Sequence, residues 1–495
     1  GTSIDAYLTM LDADGWAAID STATTRTLHR VLSTSVRRAA DAGPLTRAVL
    51  GVVAVLDDDD IPRSLFTDGC AAIDELASAT PTDIDEAIAG LERLSLIEVD
   101  GTDVHAHHLT QEVAAAAFGR PDLAVALLNA AVSTVDDASL RDVWQPLVPH
   151  AIALLERIDE SGEPTTTAAR LARALSTHLS GRGFYFSAFD HMELATSWLE
   201  QLVDTADGEL VSARAELSTC CSQIGAHGEA LELARQVLEL RERIGGPDHL
   251  DTLRAVNNLA VRNLELGRYA EALPLAHRAI DGLEATVGAD DPNTLTARGN
   301  LSIIATQMGD HDTAIEVATS VVDTRVQLLG PAHLDTVRAR NNLSVCLSAA
   351  GRLTAALEVI EEAMGAMEVA LGGDHPETVT VRYNLSICHR QLGDVDNAIR
   401  LAERVVHDRE RLLGSEHPDT IRARDNLSNC HGRVGNYVSA FFLSKRALFD
   451  GVQVLGLHHP DTVAMREWNQ HIAKQLKRRR RPQRLLSALS RSAHT

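Results

Sequence analysis

The sequence returns on itself every 42 residues, which limits much of the chain to a stack of like units. The segments DTLRAVNNLA, NTLTARGNLS, DTVRARNNLS, ETVTVRYNLS and DTIRARDNLS place Thr252, Thr294, Thr336, Thr378 and Thr420 at one position, and Thr462 continues the series. Gly267, Gly309, Gly351, Gly393 and Gly435 keep the same spacing, and Gly225 and Gly183 extend it backwards. Five residues after each of these seven glycines stands an alanine, from Ala188 to Ala440. A period of this length marks a solenoid of supersecondary units.

Each unit reads as helix, turn, helix, turn. Apolar or small residues fall three, seven, ten and fourteen places after the threonine, an apolar stripe at helical spacing. The mid-unit glycine lets the chain turn, and the alanine five places on lets the second helix pack closely on the first. A second glycine series, Gly246 to Gly456, ends the second helix, and an HPDT-like segment opens the next unit. Proline suits a helix start, and the acid there complements the helix dipole. One helix pair cannot bury its own apolar face, whereas stacked pairs can. Near 461–476 Trp468 and Asn469 replace the usual Asn-Leu, as a terminal cap would.

On these residues the unit resembles the tetratricopeptide repeats of kinesin light chain, and of bacterial NB-ARC proteins with that repeat type. The resemblance is specific over about 208–476 and weaker over 164–207. It implies a mainly α, right-handed solenoid of about seven repeats and a capping helix over 164–476, whose first helices line a concave groove. Residues two, six and nine after each threonine share the side away from the main apolar stripe. The sixth position holds Asn258, Asn300, Asn342, Asn384 and Asn426. The ninth holds Val261, Ile303, Val345 and Ile387, then Asn429; the second alternates Arg254, Arg338 and Arg422 with Thr296 and Thr380. Amides can pair with a peptide backbone, Val and Ile can receive its side chains, and Arg can hold acidic groups. In the family the matching asparagines contact cargo peptide, so the resemblance implies peptide contact for these five. The competing reading is that they bond only between neighbouring repeats. The Arg series four places after the threonine, Arg298 to Arg466, reads as inter-repeat salt bridges. The series His249, His333, His375, His417 and His459 consists of lone loop residues, not a converging metal site.

Residues 24–118 have another texture. Helical patterns cover about 24–41, 44–55 and 82–94. A hairpin follows, LIEV and DVHAHH around Asp100-Gly101, and then a helix at 109–118. This order describes a winged helix, and 106–113, AHHLTQEV, resembles the MHDL-type motif of STAND-class signalling ATPases. The resemblance implies that His107 senses the phosphate of bound ADP, although His108 stands where the family commonly has Asp. WQPLVPHAIALLE, 144–156, resembles the helical linker of such proteins, giving a tail 1–23, a winged helix 24–118, a linker 119–163 and a basic tail 477–495. The run VVAVLDDDD has a Walker B look, but no G-x-x-x-x-G-K-[ST] occurs. Its acids therefore read as a solvated helix end, and ADP or ATP would need an upstream domain. Gly1 in place of Met leads to the same expectation of missing upstream sequence. No constellation of catalytic residues stands out, so the chain reads as a non-enzyme.

Charge narrows the partners. With 69 acidic and 46 basic residues the chain carries −23, which disfavours nucleic acid and acidic membranes. Only Lys445, Lys474 and Lys477 are lysines. Cys346, Cys388 and Cys430 lie 42 apart, and neighbouring helices about 8–10 Å apart cannot be bridged by a disulfide that needs about 7 Å. Buried thiols, no signal-peptide layout and no span of roughly 20 apolar residues lead to a cytoplasmic expectation. The expected function is protein or peptide recognition, as the sensor and regulatory half of a STAND-type ATPase, with an upstream ATPase domain as a possible intramolecular partner. A stand-alone scaffold and a transcriptional-regulator fragment are the alternatives.

Overall fold

The computed structural model describes residues 22–58, 60–69, 78–133, 140–204 and 207–492. They form two compact units. One runs to His178 and includes Asp190–Asp204; the other is Leu179–Phe189 together with the residues after Asp204.

In the first unit α1 (Thr22–Asp41) packs on α2 (Pro44–Val53), whose residues are largely buried. Strand β1 (Ile61–Pro62) leads into α3 (Arg63–Gly69), and α4 (Pro81–Arg93) starts at a capping box between Thr80 and Asp83. Next come β2 (Glu98–Asp100), β3 (Asp103–His105) and α5 (His108–Phe118). The sheet order is β1-β3-β2, antiparallel throughout, with Val104 facing Ile61 on one side and Val99 on the other. The acids of VVAVLDDDD follow the end of α2, and the described residues of the segment form no strand before Ile61. Buried Gln111 reaches back from α5, and its Nε2 donates to the carbonyls of Val53 and Leu56, satisfying groups that a helix end leaves open.

Residues 119–163, expected as a helical linker, hold α6 (Pro121–Ser133), which packs on α2 and α3, and α7 (Leu140–Ser161), which packs on β1. Gly51 lets the end of α5 and the turn before α6 lie against α2, because a Cβ there would lie 2.3 Å from the Phe118 carbonyl oxygen. The pair α8 (Thr166–Gly181) and α9 (Tyr185–Leu202) falls mostly in this unit, so the second unit gains only the turn 179–189 before residue 205.

The second unit alternates first and second helices: α10 (Gly208–Gln223), α11 (His227–Gly245), α12 (Leu250–Glu265), α13 (Tyr269–Thr286), α14 (Pro292–Met308), α15 (His311–Leu329), α16 (Leu334–Ala349) and α17 (Leu353–Leu371). It continues with α18 (Pro376–Leu392), α19 (Val395–Leu413), α20 (Pro418–Arg433), α21 (Tyr437–Val454) and α22 (Pro460–Ser492). The last helix runs past residue 476, through the segment read as a tail. Every repeated alanine is fully buried where the two helices of a unit meet. The repeated threonine has a second task besides packing. The hydroxyls of Thr252, Thr294, Thr336 and Thr378 donate to the carbonyls of Gly246, Gly288, Gly330 and Gly372, closing the end of the preceding helix at 2.7–2.9 Å. Cys220, Cys221, Cys346, Cys388 and Cys430 are buried and free, whereas Cys70 lies outside the described residues.

Candidate functional site

Two of the five sixth-position asparagines bond back to the preceding repeat in the same way. Asn300 donates through Nδ2 to Asn257 Oδ1 at 3.1 Å, and Asn384 donates to Asn341 Oδ1 at 2.9 Å. In each case the acceptor is the fifth-position residue of the preceding repeat. Asn342 would need its acceptor at position 299, which is glycine. Its amide has no side-chain partner among the described residues, and a Cβ placed on Gly299 would stop 3.8 Å from its Nδ2. Asn258 meets Ala215 at the corresponding place and is likewise unbonded. Asn426 faces Tyr383 there and turns instead to Ser386 Oγ at 2.8 Å, while its own oxygen accepts from Arg390. Trp468, in the asparagine's place in the terminal helix, makes the same bond to Ser428 Oγ.

Beside Gly299 lies a cavity of about 400 Å³ between α14, α16 and α18. Asn300, Asn341, Asn342, Thr296 and Thr380 supply its polar wall, and Leu295, Val321, Met367 and Val381 its apolar one. Amide donors and acceptors beside an apolar floor can hold both the backbone and a side chain of an extended segment. The ninth-position Val261, Ile303, Val345 and Ile387 are partly buried, and Ile303 packs on the core between repeats.

The second-position arginines are already engaged. Arg338 is held in a fork by Glu377 of the next repeat, with both bonds at 2.8 Å, and by Asp335 of its own. Bonding to Glu377 raises its pKa. Arg422 takes Asp461 and Asp419 in the same way, and Arg254 takes Asn293 and Asp251. Burial alone would raise the Asp419 carboxyl, but Arg409 and Arg422 outweigh it and hold it well below the carboxylate range. These guanidiniums stitch neighbouring repeats together. The fourth-position series does so from the other shoulder: Arg382 joins Glu368 to Asp408, and Arg424 joins Glu410 to Asp450.

Every repeated histidine is an N-cap. The Nδ1 atoms of His249, His333, His375, His417 and His459 each accept the backbone N–H two residues on, and Asp291 does this in the remaining repeat. Three of them do more. His375, His417 and His459 place Nε2 on the carbonyls of Gly181, Gln223 and Glu265 at 3.1, 2.9 and 3.2 Å, each 194 residues earlier. Beside these bonds Pro376, Pro418 and Pro460 press on Gly183, Gly225 and Gly267, where any Cβ would lie within 2.5 Å of the ring. The solenoid thus closes on itself after four repeats and 26 further residues. The sequence offered one sign of it: His-Pro occurs in these three repeats, against His-Leu at 249 and 333. A second cavity, of about 280 Å³, lies between the touching turns and includes Tyr185, His227, Glu265, His417 and Arg422.

In the first unit His107 caps α5, its Nδ1 accepting from Leu109 N at 3.2 Å. Among the described residues no cluster of metal-ligating side chains occurs, and no single helix is long and apolar enough to cross a membrane.

The repeats can now be placed. Residues 212–285, 251–325, 306–368 and 335–407 match the tetratricopeptide repeat family model. The second unit is a tetratricopeptide-like solenoid. Similar solved structures include the TPR-like repeats of a protein assigned as a kinesin light chain of Podosopora anserina, 23% identical over 41% of this chain and 97% of that one, with a TM-score of 0.33. The tetratricopeptide-sensor STAND protein of Pyrococcus horikoshii is 12% identical over 86% and 65%, at 0.40. The Rap conjugation gene regulator of plasmid pLS20, solved with the Phr* peptide, is 12% identical over 75% and 90%, at 0.49. No curated protein matches the chain. Tetratricopeptide repeats are protein-interaction scaffolds, and that class of function follows.

Proposed function

We propose that the tetratricopeptide solenoid recognises an extended peptide or protein segment, and that its principal contact is the opening beneath Asn342. One observation carries this reading: the asparagine ladder is interrupted at Gly299, leaving a donor–acceptor amide over a cavity of about 400 Å³. Asn342 is half-buried, and a hydrogen bond gained there is worth about 0.5–1.5 kcal/mol, which a ligand supplying the partner contributes. Of the sequence candidates, Asn342, Asn300, Thr296 and Thr380 meet at this place, while Arg338 borders it and is spent on Glu377.

The test restores the ladder. Gly299→Asn puts an acceptor where Asn257 and Asn341 stand in other repeats, in a helical position with open space around it. Peptides selected from a random library on the natural chain are expected to lose up to about tenfold in affinity for this variant, one unmade bond's worth, with thermal stability kept or raised. Asn342→Ala should lose a similar factor. Undiminished binding to both variants, with the fold intact, ends this reading.

A second reading places the chain as the sensor and regulatory part of a STAND-type ATPase. The observation favouring it is the order of elements in the first unit, helices with a three-stranded antiparallel sheet closing on a hairpin, which resembles that of a winged helix. His107 would there reach ADP bound by an upstream domain through Nε2, since Nδ1 is used by the cap. Nucleotide should then bind only to a chain extended upstream, and His107→Ala should weaken ADP there without changing the peptide affinity of the solenoid.

A further inference from the structure

The outer face of α21 departs from those of the three second helices before it. Val438, Phe442 and Phe449 are 53%, 67% and 62% exposed. One repeat earlier the three positions hold Asp396, Arg400 and His407, and before that Thr354, Glu358 and Gly365, then Asp312, Glu316 and Asp323. Those earlier helices are each followed by a further repeat and stay polar at these places. The apolar residues of α21 therefore do not await a next repeat.

Charge changes at the same point. Residues 434–495 hold 11 Lys and Arg against 3 Asp and Glu, a formal +8 in a chain of −23. Asp450 is bound by Arg424 and Arg446, and Asp461 by Arg422, which leaves Glu467 as the remaining acid. All three lysines are here. Lys445 stands exposed in the apolar stripe itself, between Phe442 and Phe449, and Lys474, Lys477 and Arg478 are exposed on α22, which packs on α21.

We propose that this end of the solenoid is a docking surface for an anionic lipid bilayer. Two aromatic rings and a valine on one helix face, with a lysine among them, suit an interface of acyl chains and headgroups. The Lys445 stem can lie along the apolar layer while its ammonium rises to a phosphate. A second copy of the same face would bring two basic surfaces together, so charge complementarity disfavours self-pairing. The acidic remainder of the chain does not forbid contact, because charges more than a Debye length of about 8 Å from the surface are largely screened. The whole-chain charge hides this segregation, which is why the sequence pointed away from membranes.

Flotation of the full chain with vesicles tests it. Phosphatidylcholine vesicles holding about a third phosphatidylserine should carry the protein, vesicles of phosphatidylcholine alone should not, and raising the salt should release it. The double variant Phe442→Glu, Phe449→Glu should reduce partition by about tenfold or more with an unchanged melting curve. Lys474→Glu with Lys477→Glu should do the same. The proposal is overturned if the natural chain ignores anionic vesicles, or if the phenylalanine variant floats as well as the natural chain. It is also overturned if the face instead holds together a dimer that the phenylalanine substitutions dissolve.

Discussion

At the scale of single residues, the fifth position of the first helix decides what its neighbours do. Asn257 and Asn341 accept from the next repeat, Gly299 leaves Asn342 open, and Tyr383 lies under Arg409, whose guanidinium carbon is 4.5 Å from the ring centroid. Asp425 is the costly member. Its Oδ1 is buried without a partner, and burial pushes its carboxyl up to about 6. A carboxyl raised above its unfolded value of about 3.9 binds protons more readily in the fold, so stability falls as pH rises between about 4 and 6. Asp425→Asn removes the charge and keeps an oxygen for Asn429. We expect it to stabilise the chain by about 1–3 kcal/mol at pH 7, and to lose that advantage near pH 4. Paired thermal melts at the two pH values measure this, and equal gains at both would contradict it.

At the scale of the helix pair, the repeat was legible because its constraints are local. Glycines with positive φ, such as Gly309 at 81°, and alanines buried to nothing recur wherever the period puts them. The asparagine positions were found by the same arithmetic. What a side chain six places along would meet depends on the residue 43 places before it, and the 42-residue period does not foretell a Gly299 in the acceptor's place. Likewise the histidines read as loop residues, since histidine is not a common N-cap. The structure separates two versions of this cap. His333 is exposed and caps only, whereas His417 is buried and also holds Gln223. His333→Ala should cost about 0.5–1 kcal/mol, a cap's worth. His417→Ala should cost about 2 kcal/mol more, adding a buried carbonyl left without its donor. Chemical denaturation of the two variants separates them, and equal losses would mean the long-range bond adds nothing to stability.

At the scale of the molecule, the second unit is a coil whose turns touch. Nothing local announces this, because it depends on a small rotation accumulated over more than four repeats. The touching turns border the inner surface, so an extended ligand meets a closed coil and not an open trough. The contact's chemistry also makes it sensitive to acid. Its bonds require neutral imidazoles, with Nδ1 accepting and Nε2 donating. Burial lowers the pKa of His417 and His459; Asp419 opposes this at His417, as do the Glu265 carbonyl and Asp461 at His459, while Arg409, Arg422 and His227 reinforce it. Groups with depressed values favour the closed form above the unfolded pKa of about 6.5, and that preference is lost as pH falls through their lowered values.

Two glycines separate the coil contact from the turn it is built on. Gly225 and Gly351 hold the same place in their repeats, with φ of 86° and 76°, so alanine suffers the same backbone strain at both. At Gly351 a Cβ meets nothing within 4 Å, whereas at Gly225 it would lie 2.5 Å from Pro418 Cδ. Gly351→Ala should lower stability by about 1–2 kcal/mol and leave the shape unchanged. Gly225→Ala should also part the turns, enlarging the radius of gyration seen by small-angle scattering at pH 7. The natural chain should approach that size only as the pH falls well below the free-imidazole value of about 6.5. If the variants scatter alike at neutral pH, the touching turns do not hold the coil closed. If Gly225→Ala alone expands and binds selected peptides faster, coil opening is the step that admits the ligand.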